Sequence, residues 1–229
     1  MENIRVNIEQ KKYGHDVVLQ QIHRAYSTQQ IHGILGANGA GKTTLFCCMS
    51  GVTDFEGTPT FHRNVKVGLL PAELFMYPKL KGEEFIHFCL KAKNVPANTN
   101  EIKILSDQFE LPLQQYAEQY STGMLKKLYL MALILQKNDV LLLDEPFNGL
   151  DYLSVALITE WIKQLKEQGA TFFISSHNME HLVSFCDTLS ILQNKSITFY
   201  SNSSDFKEIT QILTQKAKEK VKEFFGGDL

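Results

Sequence analysis

The chain has 229 residues, with 23 lysines and arginines against 25 aspartates and glutamates, for a formal net charge of −2. That balance gives no electrostatic reason to expect a nucleic-acid partner, and the length suffices for one large domain that folds without disulfide staples. The composition, 44% hydrophobic and 21% charged, is that of a globular protein, and the longest apolar run, residues 128–135, falls short of the about 18 residues of a spanning helix.

Residues 1–5 lack the basic patch, apolar stretch and small-residue cleavage site of a secretory signal, so the chain is expected to stay in the cytosol. Ile4, Val6 and Ile8 alternate with polar neighbours, Val17, Val18 and Leu19 follow a turn that begins at Tyr13, and residues 31–35 are apolar but for His32 and Gly33; all three stretches read as strands. Residues 54–59 read as a turn before a short strand at Thr60 and Phe61, and residues 65–70 as a further strand. From Pro71 the texture turns helical: residues 83–92, 101–109 and 125–135 carry apolar side chains at three- and four-residue steps, which predicts a helical subdomain over about residues 72–135. Residues 140–143 and 171–175 have the unbroken apolar character of strands covered on both faces. Between them a helix is expected over about residues 152–168, stopped by Gly169. Residues 189–192 and 197–200 flank a hairpin turn, and Phe206, Ile209, Leu213, Ala217, Val221 and Phe224 form one stripe of an amphipathic helix; hairpin and helix together span about residues 187–225. Cysteines 47, 48, 89 and 186 have no C-x-x-C spacing, which argues for free buried thiols, with Cys47 and Cys48 as small core residues on a helix.

Gly36-Ala37-Asn38-Gly39-Ala40-Gly41-Lys42-Thr43 fits G-x-x-x-x-G-K-[ST] between a predicted strand and a predicted helix. Glycines let successive N–H groups turn toward phosphate oxygens, and the start of the helix adds a favourable field. Lys42 is expected to reach the β- and γ-phosphates of a bound nucleotide, and Thr43 to give its hydroxyl to Mg²⁺. The strand at 140–143 ends in Asp144 and Glu145 before Pro146. Ligands of a parallel sheet lie beyond the carboxyl ends of its strands, so Asp144 can face a metal beside Thr43 while Glu145 faces elsewhere, free to act as general base or to orient water. His177-Asn178-Met179-Glu180-His181 matches the zinc-protease pattern H-x-x-E-H, but His177 falls at a strand end before its helix starts, so the two histidines are not expected to share a helix face.

Tyr120-Ser121-Thr122-Gly123-Met124, ahead of an apolar helix, resembles the L-S-G-G-Q signature of ABC ATPases. Together with residues 36–44, the acidic pair, Asn148-Gly149-Leu150-Asp151 and Ser175-Ser176-His177, its order and spacing resemble one ABC nucleotide-binding domain, of bacterial export type, over about residues 2–205. The resemblance implies an α/β fold of the P-loop NTPase class, with a RecA-like core, an antiparallel β-subdomain and an α-helical signature subdomain, residues 1–229 forming a single nucleotide-binding domain. It implies ATP hydrolysis with Mg²⁺, with Asn38, Gly39, Ala40, Gly41, Lys42, Thr43 and Thr44 on the phosphates, Tyr13 on adenine, Thr43 and Asp144 on the metal, and Glu145 and His177 catalytic. Ser121 and Gly123 are implied to bind the γ-phosphate of ATP held by an opposite subunit, and Asp151 to bridge the two subunits. The implied partners are a second ABC ATPase subunit, the same or different, and an integral membrane permease, with the chain peripheral on the cytoplasmic face and no nucleic acid involved. Three positions depart from the family: Ala72, beside Glu73, stands where a glutamine is usual, and Thr122 and Leu125 depart from the signature. The alternative class is a soluble ABC ATPase acting on a cytosolic protein or an iron–sulfur assembly.

Overall fold

The computed structural model describes residues 3–61 and 64–201, together with residues 206, 215, 218, 219, 221 and 222. Within these the chain runs β1 (Asn3–Tyr13), β2 (Asp16–Ser27), β3 (Ile31–Leu35), α1 (Lys42–Ser50), β4 (Glu56–Thr58), β5 (Val67–Leu70), α2 (Gly82–Ala92), α3 (Thr99–Phe109), α4 (Thr122–Leu135), β6 (Val140–Asp144), α5 (Tyr152–Glu167), β7 (Thr171–Ser176), α6 (Met179–Val183), β8 (Thr188–Gln193) and β9 (Ser196–Tyr200). Of the stripe expected near the C-terminus, Ile209, Leu213, Ala217 and Phe224 lie outside the described residues, whereas Phe206 is buried and Val221 is exposed.

Two sheets form. The larger has six strands in the order β5-β6-β7-β3-β8-β9, parallel except for the β8–β9 hairpin, and the smaller has the antiparallel order β2-β1-β4. Alternation along the central strands explains their unbroken apolar sequence. Leu141, Leu143, Phe172 and Ile174 enter a core shared with α2, α3, α4 and α5, while Val140, Leu142 and Phe173 enter a second core shared with α1, β1 and β2. Register then fixes the height of the strand ends: Leu35 of β3 pairs with Ser176 of β7, and Asp144 of β6 with Ser175 of β7. Three strands therefore finish at one level, above which the loops that follow them must meet. No helix among the described residues is long and apolar enough to cross a membrane.

Two expectations are corrected. The strand near residue 60 is β4, at Glu56–Thr58, inside the stretch that reads as a turn, and Thr60 and Phe61 lie outside any strand. Gly57 accounts for the shift. A β-carbon there would stand 2.2 Å from the Asn7 main-chain oxygen, so the missing side chain lets this segment close onto β1 rather than turn away from it. The four thiols also divide: Cys48 and Cys186 are buried, but Cys47 and Cys89 are half-buried, because Cys47 lies on the flank of α1 rather than on its core-facing stripe.

His32, 1% exposed, sits beneath this core on β3. Its Nε2 faces the Ser27 carbonyl at 2.8 Å and must donate to it, which leaves Nδ1 to accept from the Thr188 hydroxyl at 2.7 Å. Both nitrogens of the neutral ring are thus satisfied, and burial pushes its pKa down from 6.5 to about 4, against the smaller pull of the Ser27 carbonyl. Below pH 6.5 the unfolded chain takes up a proton that the folded chain refuses until about pH 4, so folding stability is complete above that window and falls through it. Acidification from pH 7 to pH 5 is expected to cost on the order of 2 kcal/mol through this residue. Urea unfolding of His32→Gln over the same pH range should show a correspondingly shallower dependence, and an unchanged slope would refute the assignment.

Candidate functional site

The loop after β3 carries two glycines with positive φ, Gly39 at 79° and Gly41 at 104°, conformations that a side chain would strain. It delivers the chain into α1 with no side-chain cap and no acidic residue in the first turn. Elsewhere Asn98, Ser121, Asp151 and Asn178 cap α3, α4, α5 and α6 with side-chain oxygens. The start of α2 also lacks a side-chain cap, but Glu83 and Glu84 stand in its first turn and the Gly82 and Glu83 N–H groups donate to the Gln115 and Leu113 carbonyls, whereas α1 has neither cap nor acidic residue and its first-turn N–H groups are open to an external anion.

Lys42, at 6% exposure, donates through Nζ to the Gly36 carbonyl at 2.8 Å and the Ala37 carbonyl at 3.3 Å, and pairs with Glu145 Oε1 at 3.2 Å. The Thr43 hydroxyl donates to Asp144 Oδ2, and the Ser175 hydroxyl to Asp144 Oδ1, which leaves Asp144 1% exposed with both oxygens engaged. This set of hard oxygens is of the kind that Mg²⁺ takes. Glu145 diverges from Asp144 as the sequence suggests, but it is not free: its carboxylate is held by Lys42 and by His177 Nδ1 at 3.1 Å. The reason is electrostatic, since a buried ammonium needs a counter-charge and Glu145 is the carboxylate within reach. His177 itself is half exposed, and it precedes α6, which carries His181, so the two histidines share no helix.

Tyr13, at the end of β1, is 52% exposed, with the Lys11 ammonium 4.5 Å from its ring centroid. Lys11 is anchored in turn by the Thr53 hydroxyl at 2.7 Å and the Asp54 carbonyl at 2.6 Å, so one face of the ring is covered. Asn38 and Gly39 are exposed and Thr44 half-buried. Among the described residues no hydrogen bond joins Ser121, Gly123 or Asp151 to the phosphate loop. Ser121 accepts from the Met124 N–H at 3.2 Å, and Asp151 accepts from the Ser154 N–H and hydroxyl, both at 2.8 Å, which holds its carboxyl below the usual carboxylate range. Ala72 and Glu73 are exposed just past the end of β5, the neighbour of β6. Sequence reasoning assigned no role to Ser175, Lys126 or Lys11. Lys126 and Lys127 stand together in a helix that is otherwise mostly apolar, and nothing in the sequence separates the buried one from its neighbour.

A family model described as ABC transporter matches residues 19–148, more than half of the chain. The chain is 35% identical over 177 residues to the uncharacterized ABC transporter ATP-binding protein YhaQ of Bacillus subtilis (strain 168), a match that covers 72% of this chain and 59% of YhaQ. It is 30% identical over 189 residues to the SkfA peptide export ATP-binding protein SkfE of the same organism, covering 75% of this chain and 78% of SkfE. In fold it is similar to a solved structure of the ATP-binding subunit of an ABC transporter, with a TM-score of 0.81 at 22% identity over 91% of this chain and 94% of that one.

Ser175 accepts from the Glu145 N–H at 3.0 Å while donating to Asp144, so it joins the two acids. Ser175→Ala leaves both groups short of a partner in a buried place and is expected to lower stability by about 1–3 kcal/mol. Urea denaturation checks this, and a loss under about 0.5 kcal/mol would show that the hydroxyl is dispensable.

Proposed function

The chain belongs to the ABC transporter family, and we propose that it is the ATP-binding and ATP-hydrolysing subunit that drives a separate membrane permease through ATP-dependent dimerisation. The observation that carries this reading is a meeting of groups at the ends of β3, β6 and β7: a buried ammonium, a hydroxyl paired with a carboxylate, and a second carboxylate held by an imidazole. In this reading residues 38–44 cradle the phosphates through their N–H groups. Thr43 and Asp144 would hold Mg²⁺, which when bound supplies positive charge to the phosphate oxygens. Lys42 exchanges its contact with Glu145 for the more highly charged phosphates. Glu145, released from Lys42 and still oriented by His177, then accepts the proton of the attacking water or aligns that water. His177 turns its exposed side to the γ-phosphate, and Tyr13 offers the uncovered face of its ring to adenine.

The second half of each site comes from a second subunit, the same chain or a homologue, whose Ser121 and Gly123 at the start of α4 meet the γ-phosphate across the interface while Asp151 bridges the two copies. For the permease, support comes from the exposed rings of Phe75, Tyr77 and Phe88, the first two in edge contact with centroids 5.0 Å apart. The likeness to a peptide-export ATP-binding protein and the sequence around Met76 and Tyr77 favour export. The chain would then sit on the cytoplasmic face of the membrane, held there by its permease.

Lys42→Ala is expected to weaken ATP binding at least about tenfold, because it removes a charge-assisted phosphate contact. Calorimetric titration at wild-type affinity would refute the role. Glu145→Gln is expected to bind Mg-ATP, fail to turn it over and elute as a dimer in size exclusion; a monomer at saturating nucleotide would overturn the dimerisation scheme. Copurification of the full chain with membranes, dependent on a polytopic partner, supports the transporter reading, whereas a wholly soluble complex sinks it.

A further inference from the structure

Glu145 has a φ of 48°, in the left-handed region where a residue with a β-carbon stays only if its surroundings hold it. It is clamped on both sides. Its N–H donates to the Ser175 hydroxyl at 3.0 Å, and its carbonyl accepts from Lys126 Nζ at 2.8 Å and from the Asn148 N–H at 3.3 Å. Lys126 Nζ donates at the same time to the Asn148 carbonyl, also at 2.8 Å. One ammonium thus spans the turn that follows β6.

Lys126 belongs to the helix that begins at the signature. It is 3% exposed, two residues before the apolar run of α4, and burial pulls its ammonium below the ordinary lysine value, with Glu145 and then Asp144 opposing that pull. Its hydrogen-bond partners are main-chain carbonyls rather than a carboxylate, a costly way to bury a cation if packing were its only task. The first turn of α4 presses on the same loop independently: a β-carbon at Gly123 would stand 3.0 Å from the Gly149 carbonyl oxygen and 3.5 Å from Leu150 Cδ2.

We propose that Lys126 is a positioning residue for hydrolysis, holding the main chain of Glu145 in the turn that aims its carboxylate at Lys42 and His177, and tying that turn to the end of α4 that carries Ser121 and Gly123. The inference rests on the reading of Glu145 as the group that acts on water. It gives the trans contact a physical route to the cis carboxylate, since a displacement of the start of α4 reaches Glu145 through two short hydrogen bonds and one close packing contact.

The test measures steady-state ATP hydrolysis and ATP binding for the full chain, with Lys126→Met, Lys126→Arg and Glu145→Gln side by side. Lys126→Met keeps the stem and loses the donors; its kcat is expected to fall about 10- to 100-fold while the Kd for ATP changes less than about threefold. Lys126→Arg, whose guanidinium can reach both carbonyls, is expected to regain most of kcat. Equal losses in kcat and affinity, or no recovery with arginine, would reduce Lys126 to a structural residue and overturn the proposal. If circular dichroism shows that Lys126→Met is unfolded, Lys126→Gln, uncharged and shorter, replaces it under the same expectation. Wild-type turnover by Glu145→Gln removes the reading of Glu145 itself, whereas an inactive Glu145→Gln beside a fully active Lys126→Met removes the role of Lys126 alone.

Discussion

An ammonium buried to 6% exposure at the mouth of a parallel sheet has to be neutralised where it stands, and in this chain Glu145 does so for Lys42. The remaining geometry of the site follows from that constraint. Glu145 can reach Lys42 only because its backbone turns into the left-handed region directly after β6, which sends its carboxylate away from that of Asp144. Two adjacent acids, which on a regular strand would point to opposite faces, are thereby given different partners: Asp144 two hydroxyls, Glu145 an ammonium and an imidazole. Chemistry that needs one carboxylate for a cation and another for a proton begins with that separation.

The sheet supplies the precision. A one-residue slip of a strand held between two apolar cores would send every side chain into the opposite core, whose packing it does not fit, so the level at which β3, β6 and β7 end is set by packing rather than by the site. Thr43, Asp144 and Ser175 come within hydrogen-bond reach as a consequence of that register. At the end of β6 the left-handed backbone falls on Glu145, where hydrogen bonds from β7 and α4 hold it.

Much of this was legible in the sequence because the chemistry is local there. The phosphate loop, the acidic pair and the capping serine at 121 each lie within a short stretch whose spacing carries its own geometry, and the buried strands announce themselves by unbroken apolar runs. The roles of Ser175 and Lys126 were not legible, since each acts on main-chain groups about 20 to 30 residues away, and a hydrogen bond to a backbone N–H or carbonyl leaves no mark on the partner's side-chain identity. β4 was misplaced for the opposite reason. Glycine marks both turns and close backbone approach, and at Gly57 the second meaning applies. Nor could spacing reveal that Glu145 is occupied, because the pairing with Lys42 joins two elements that meet only in the folded sheet.

The caps of α4 and α5 show how two similar oxygens end up suited to different tasks. Asp151 has one oxygen on the Ser154 N–H and the other on the Ser154 hydroxyl, and on this exposed residue the remaining lone pairs are open to further donors. A residue in that state meets a partner as an acceptor. Ser121 accepts the Met124 N–H, which uses a lone pair and leaves its own proton to donate outward. Accepting one hydrogen bond polarises a hydroxyl toward giving the next, so the cap at the start of α4 leaves Ser121 a polarised proton facing outward. The start of α1 reaches the same end differently, with no side-chain cap and a buried lysine below it. One helix start keeps its first-turn N–H groups free of a side-chain cap, and the other keeps the hydroxyl proton that its cap leaves over.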